Sequence, residues 1–284
     1  MRLLLIAPLA TVFATGGSVP SASKSQNIVE IIGVDYAFRA PATLPAGRTT
    51  FRFRNTSKHK HELNVFLLKP GATIEQVIKA GKEGKPQMPF IDGGVGVLFA
   101  LEGASSRSGL TTDLLPGRTY GIQCIFRDST GKPRHYELGM YSVIRVTGNA
   151  PAAALMRADS VIAVDYAFPK YPREISPGVH TLVFRNSGKH RHEMNIALLK
   201  KGVTLDSVIA MDKKDADVEP LFERNGGHGL LHAMSDKSAL GGLVIDFLPG
   251  REYLMDCSFQ DDDKAPPHYK LGMYGSIRVR GAIQ

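Results

Sequence analysis

Leu115-Pro-Gly-Arg-Thr-Tyr-Gly-Ile-Gln-Cys124 runs on, eleven positions later, to His135 and then to Leu138-Gly-Met-Tyr141. Leu248-Pro-Gly-Arg-Glu-Tyr-Leu-Met-Asp-Cys257 leads by the same intervals to His268 and Leu271-Gly-Met-Tyr274. A unit written twice in one chain has to be read before any secondary structure, because it sets the domain count. Working outward, Val34-Asp-Tyr-Ala-Phe38 recurs as Val164-Asp-Tyr-Ala-Phe168, and His61-Glu-Leu-Asn-Val65 as His192-Glu-Met-Asn-Ile196. The copies predict two domains, at 27–148 and 158–281, joined by the Ala-rich linker Gly148–Arg157.

Within each copy the rhythm is period two. Thr50-Phe-Arg-Phe-Arg54 and Thr181-Leu-Val-Phe-Arg185 read as strands entered from Pro/Gly turns. Strands also fit Asn64–Leu68, Thr119–Phe126 and Ser142–Val146. Thr73 with Gln76 three residues on predicts one capped helix over Ile74, Val77 and Ile78, and Thr204–Ile209 repeats it. Many short strands with one short helix per copy indicate an all-β chain of two tandem Greek-key sandwiches. The Leu-Pro-Gly-Arg-x-Tyr segments, at Tyr120 and Tyr253, match the turn-then-Tyr corner of such sandwiches.

Each copy holds a single Cys at the same point of the same strand. Alone, a buried thiol is a small hydrophobe. Here Cys124 is followed by His135 and Met140 and preceded by His61; Cys257 is followed by His268 and Met273 and preceded by His192. A thiolate, two imidazoles and a thioether are a ligand set suited to copper in both oxidation states, with two His and Cys in a plane and Met on a long axial bond.

At these residues the sequence resembles the cupredoxin family of type 1 blue copper proteins, which includes plastocyanin and azurin. The shared signature is a Tyr-bearing strand, Cys, a loop, His, and Gly-Met before a last strand: Tyr120, Cys124, His135, Gly139-Met140 and Ile144-Arg-Val146, then Tyr253, Cys257, His268, Gly272-Met273 and Ile277-Arg-Val279. The remaining His of the family corresponds to His61 after Asn55-Thr-Ser-Lys and His192 after Asn186-Ser-Gly-Lys. The resemblance implies a cupredoxin sandwich, copper as cofactor and one-electron transfer. One departure stands out. Ten residues separate Cys from His, more than in small blue copper proteins, so Arg127–Arg134 must fold back over the metal.

His59 and His190 form His-x-His pairs with His61 and His192, which invites a second copper as in two-domain multicopper oxidases or nitrite reductases; a solvated basic turn is the expected setting. No His flanks either Cys, so the His-Cys-His coupling of the oxidases is missing. His228 and His232 stand where copy one has Val95 and Phe99, and read as a second-copy feature or surface variation. Glu62 and Glu193 are expected in surface ion pairs, and Asn55 and Asn186 behind the first His. A metal-free binding module on the same fold is the third reading.

The 284 residues carry 35 Lys and Arg against 27 Asp and Glu, a formal charge of +8. Basic residues are dispersed with few aromatics between them, which points away from nucleic acid and toward an acidic redox partner or peripheral contact with an anionic membrane surface. Met1-Arg2 and the apolar run Leu3–Ala14 read as a signal peptide ending by Ser23, which predicts a periplasmic or secreted protein. Two Cys in 284 residues exclude a disulfide scaffold. No P-loop, His-Glu-x-x-His, Gly-x-Ser-x-Gly or Cys-x-x-Cys occurs, which removes the common nucleotide, protease, hydrolase and dithiol chemistries.

Overall fold

The computed structural model describes residues 27–149, 157–262 and 264–281. The expected leader 1–23 and linker residues 150–156 lie outside the described residues. The first repeat contributes β1 (Asn27–Val34), β2 (Ala37–Arg39), β3 (Thr43–Pro45), β4 (Gly47–Asn55), β5 (His61–Leu68), β6 (Ile91–Ala100), β7 (Ser108–Leu114), β8 (Thr119–Gln123) and β9 (Tyr141–Thr147), with helix α1 (Ile74–Lys82). The second contributes β10 (Asp159–Val164), β11 (Ala167–Lys170), β12 (Glu174–Ile175), β13 (Gly178–Asn186), β14 (His192–Leu199), β15 (Phe222–Ala233), β16 (Ser238–Phe247), β17 (Glu252–Asp256) and β18 (Tyr274–Val279), with helix α2 (Leu205–Asp212).

Alternation places the core. In β4, Phe51, Phe53 and Asn55 are buried while Arg52 and Arg54 face water, the burial expected of a strand with one wet face. Each fully buried Phe or Leu stabilises the fold by roughly 1.5–3 kcal/mol. Turn chemistry closes the strands: the hydroxyls of Tyr120 and Tyr253 accept from the amides of Leu115 (3.2 Å) and Leu248 (3.0 Å), fixing both corners. Thr73 and Gln76 form the expected capping box on α1, which buries Ile74, Val77 and Ile78 against Phe66, Leu68 and Tyr136.

The repeats are fused through both layers. One sheet runs β11-β10-β13-β16-β7-β4-β1-β2 and the other β12-β18-β17-β14-β15-β6-β5-β8-β9-β3. The joins are β16 with β7 and β15 with β6, both antiparallel, and one contiguous apolar core spans the two repeats. β7 and β16 pair continuously from Ser108–Thr112 to Gly241–Ile245, whereas β6 and β15 meet at Val97 and Leu230. Gly229 sits there at φ 122°, and a Cβ would run into the Val97 carbonyl oxygen, so only Gly allows this approach.

The strand expected over Thr119–Phe126 stops at Gln123. From Cys124 on, the backbone leaves the ladder: the Cys124 amide donates to the Met140 carbonyl (3.1 Å) and the Cys124 carbonyl accepts from the Tyr136 amide (2.9 Å). The chain is thereby handed from sheet to loop at the thiol.

Candidate metal centre

Three separate devices bring the first repeat's donors together. His61 opens β5, and the turn before it is held by Asn55, whose side-chain amide donates to the carbonyls of His59 (2.6 Å), Leu101 (3.0 Å) and Ala100 (3.2 Å) while its oxygen accepts from the Ser57 amide (3.0 Å). Asn186 does the same work in the second repeat, donating to His190 (2.7 Å) and Ala233 (3.1 Å) and accepting from the Gly188 amide (2.8 Å). Cys124 follows directly on β8. His135 starts a single 3-10 turn, His135–Leu138, anchored by its amide on the Phe126 carbonyl (2.9 Å) and closed by Gly139 at φ 111°. The ten-residue loop does fold back.

The result is a small triangle. His61 Nδ1 lies 3.0 Å from His135 Nδ1, and Cys124 Sγ lies 3.4 Å from His135 Nδ1 and 3.8 Å from His61 Nδ1. A point equidistant from the three atoms is about 2 Å from each, the length of a metal–nitrogen or metal–sulfur bond. In the second repeat His192 Nδ1 and His268 Nδ1 are 3.0 Å apart, and Cys257 Sγ is 3.5 Å from His268 Nδ1. All six side chains are fully buried. These are the two groups of His, Cys, Asp or Glu among the described residues that could hold a metal ion.

Electrostatics suit an incoming cation. Burial, then the nearby Glu62 charge, pushes the Cys124 thiol up to about 12, and burial does the same to Cys257. Burial, then His135, pushes His61 down to about 4, and burial also lowers His135 and His192. Alone, the first repeat's cluster therefore holds a neutral thiol and neutral imidazoles. At 3.0 Å two Nδ1 atoms have room for one shared proton, so lone pairs are directed at the centre, and a metal ion would supply the charge that lets the sulfur ionise. Backbone amides already face that sulfur: Glu62 N–H at 3.4 Å from Cys124 Sγ and Glu193 N–H at 3.2 Å from Cys257 Sγ. A soft sulfur with two imidazole nitrogens fits copper.

Met140 and Met273 are fully buried. Each is pinned through its backbone between the other two donors, its amide on the carbonyl of His135 (2.9 Å) or His268 (3.1 Å) and its carbonyl on the amide of Cys124 or Cys257 (3.1 Å in both).

The long loop also delivers a carboxylate. Asp128 lies 3.1 Å from His135 Nε2, 2.9 Å from His59 Nδ1, and accepts a hydrogen bond from the Tyr36 hydroxyl at 2.6 Å. The Tyr36 hydroxyl holds the Asp128 carboxyl below the usual carboxylate range. By accepting from Nε2–H, Asp128 leaves Nδ1 of His135 as the lone-pair nitrogen. Asp261 takes the same place in the second repeat, bonded to His190 Nδ1 (3.0 Å) and Tyr166 (3.3 Å), but although it lies 3.3 Å from His268 Nε2 it makes no hydrogen bond there. Sequence reasoning missed all four residues, although the repeat marks them: Tyr36 and Tyr166 sit inside Val-Asp-Tyr-Ala-Phe, and each Asp follows its Cys by four.

Other candidates find different places. His59 spends Nδ1 on Asp128, and its Nε2 faces the Tyr36 hydroxyl at 3.4 Å, so it serves the loop instead of opening a second His-x-His site. Glu62, expected on the surface, is buried, because its Oε1 accepts from the Ile125 amide (3.0 Å); burial pushes it up to about 7. Glu193 pairs with Arg191 (3.0 Å), as expected. His228 is no surface variation: it is buried, its ring tilted at 56° to that of Tyr253 with centroids 5.3 Å apart, and neither ring nitrogen has a partner. His232 lies over Gly94, whose missing Cβ makes room for the ring.

No family model matches the chain, and no curated protein matches it. Among solved structures, it is similar to dithionite-reduced auracyanin from Roseiflexus castenholzii, with 22% identity over 44% of this chain and 99% of that one at a TM-score of 0.31. It is likewise similar to auracyanin A, a blue copper protein of Chloroflexus aurantiacus (22% identity, 43% of this chain, 100% of that one, TM-score 0.30). Auracyanin B gives 20% identity, 45% of this chain, 94% of that one and a TM-score of 0.29. Each similarity takes in nearly all of a smaller protein and the length of about one repeat here, and in each repeat of this all-β chain a buried His-Cys-His group could hold copper.

Proposed function

We propose that the protein is an exported copper-binding electron-transfer protein of cupredoxin type, with one mononuclear type 1 site in each repeat. The observation that carries this reading is the buried triangle of one Sγ and two Nδ1 atoms, built twice with the same Nδ1–Nδ1 separation of 3.0 Å. His61, Cys124, His135 and Met140 would hold the first copper; His192, Cys257, His268 and Met273 would hold the second. Bound copper supplies a one-electron Cu(I)/Cu(II) couple.

The chain's own residues do the rest. Asn55 and Asn186 fix the first His, the Cys–Met and His–Met backbone bonds hold the other donors in one frame, and Asp128 orients His135. A donor set fixed before the electron arrives changes little between oxidation states, which favours transfer. The formal +8 charge supports an acidic redox protein as partner. Among the described residues no helix is long and apolar enough to cross a membrane; the export reading rests on the Met1–Ser23 segment.

Copper loading followed by elemental analysis and visible spectroscopy tests the proposal. Two coppers per chain and an intense thiolate-to-copper absorption are expected. A colourless protein with less than one copper per repeat overturns it.

A further inference from the structure

The first repeat shows how the space beneath its helix is closed. Phe66 lies across Gly121, which has no Cβ to obstruct it, and the side-chain amides of Gln87 and Gln123 satisfy each other through two hydrogen bonds of 3.3 and 3.1 Å. Phe66, Ile74, Val77, Ile78 and Tyr136 form a sealed satellite core. In the second repeat Val208, Ile209 and Tyr269 keep the places of Val77, Ile78 and Tyr136, but the parts that close the space change: Ala197 stands for Phe66, Leu254 for Gly121, Val218 for Gln87 and Asp256 for Gln123. The satellite core shrinks to Leu199, Val208 and Leu254. A cavity of about 690 Å³ opens between α2 and the sheet. That volume lies within the range of small-molecule sites.

Its chemistry is lopsided. Leu205, Val208, Phe222 and Leu254 supply apolar wall, while Asp256 presents a carboxylate whose Oδ1 accepts from the Asn195 amide (2.9 Å). The residue facing it in the first repeat was a hydrogen-bond donor, Gln87; here it is Val218. Two exposed lysines stand at the mouth, Lys213 and Lys270, and Lys270 is already engaged by Asp212 (2.7 Å) and Asp215 (3.8 Å). A carboxylate among apolar walls is costly unless a donor, best a charged one, meets it. An anionic group at Asp256 would be repelled, and a wholly apolar guest would strip water from Asp256 and return nothing.

We propose that this cavity binds a small amphipathic amine, its apolar body against the helix and sheet and its ammonium on Asp256. The inference stands whether or not copper occupies the neighbouring centre.

Calorimetric titration of the full chain, copper-free and copper-loaded, with phenethylamine and its neutral analogue phenethyl alcohol tests it. One saturable site is expected, with the amine preferred by about tenfold or more, the worth of a hydrogen bond between charged groups. Asp256→Asn should erase the preference. Transplanting the first repeat's filler as Ala197→Phe with Leu254→Gly should abolish binding of both compounds, whereas Gln123→Ala in the first repeat should change neither. Equal affinity for amine and alcohol, undiminished amine binding by Asp256→Asn, or no saturable binding to the unmodified chain overturns the proposal; the Asp256→Asn result decides it should the double variant not fold.

Discussion

Leu110 and Leu243 face each other across the seam between β7 and β16, and they are the same residue of the two repeats, 133 positions apart. Around them the register is reciprocal: Gly241 meets Thr112 while Ile245 meets Ser108. In the other sheet Val97 meets Leu230, again 133 positions apart. A local two-fold axis therefore passes through both seams, and the chain is organised as a symmetric dimer is, with one self-complementary surface used twice.

Because one core spans both repeats, they should unfold together. Leu110→Ala, at the axis and fully buried, is expected to cost about 3 kcal/mol and to leave one cooperative transition by circular dichroism. Two separated transitions, one per repeat, would contradict a shared core.

Removal of one thiol should silence one centre. Copper-loaded Cys124→Ser should lose about half of the thiolate-to-copper absorbance and retain the second repeat's share, since each site supplies its own sulfur. Loss of the whole band would mean that the centres depend on each other.

Asp128 should tune the first centre without touching the metal. In Asp128→Asn, His135 Nε2 loses its carboxylate, so its Nδ1 becomes a weaker donor. Copper affinity of that site should fall about tenfold in chelator competition, and its reduction potential should rise because the oxidised ion loses more than the reduced one. An unchanged potential would reduce Asp128 to a loop anchor.

His228 makes a pH-dependent demand on stability. Burial pushes its imidazole down to about 4, below its value in the unfolded chain. The unfolded state thus binds more protons between pH 6.5 and 4, so this residue's contribution is intact above 6.5 and is lost as pH falls toward 4, by on the order of 3 kcal/mol. His228→Val, which installs the first repeat's residue, also removes two unpartnered ring nitrogens. The copper-free variant should exceed the parent by about 1 kcal/mol at neutral pH, and the gap should widen on acidification; a gap that narrows would show His228 charged in the fold.

Much of this molecule is local and so can be read along the chain. The Leu-Pro-Gly-Arg-x-Tyr corners, the Thr73–Gln76 capping box, the alternation in Thr50–Arg54 and the Cys-His-Met intervals each depend on residues close in the chain, and doubling of the corners, the alternation and the intervals separated pattern from accident, whereas α2 keeps the Thr204 cap with Ser207 in the place of Gln76. The His61, Cys124 and His135 convergence was also legible, because a strand end, a loop and a neighbouring strand have few ways to meet.

Tertiary structure alone decided the remainder. Asp128 reaches His135 only once the loop has folded back, and Glu62 is buried because an amide 63 positions away needs its oxygen. Exchange of Gln123 for Asp256 looks like surface drift until the loss of Phe66 and Gln87 on other elements leaves a carboxylate facing a cavity. The seam at Leu110 and Leu243 belongs to the same class: alternation tells which face of a strand is apolar, whereas its partner is chosen by packing against residues that the chain brings near only when folded.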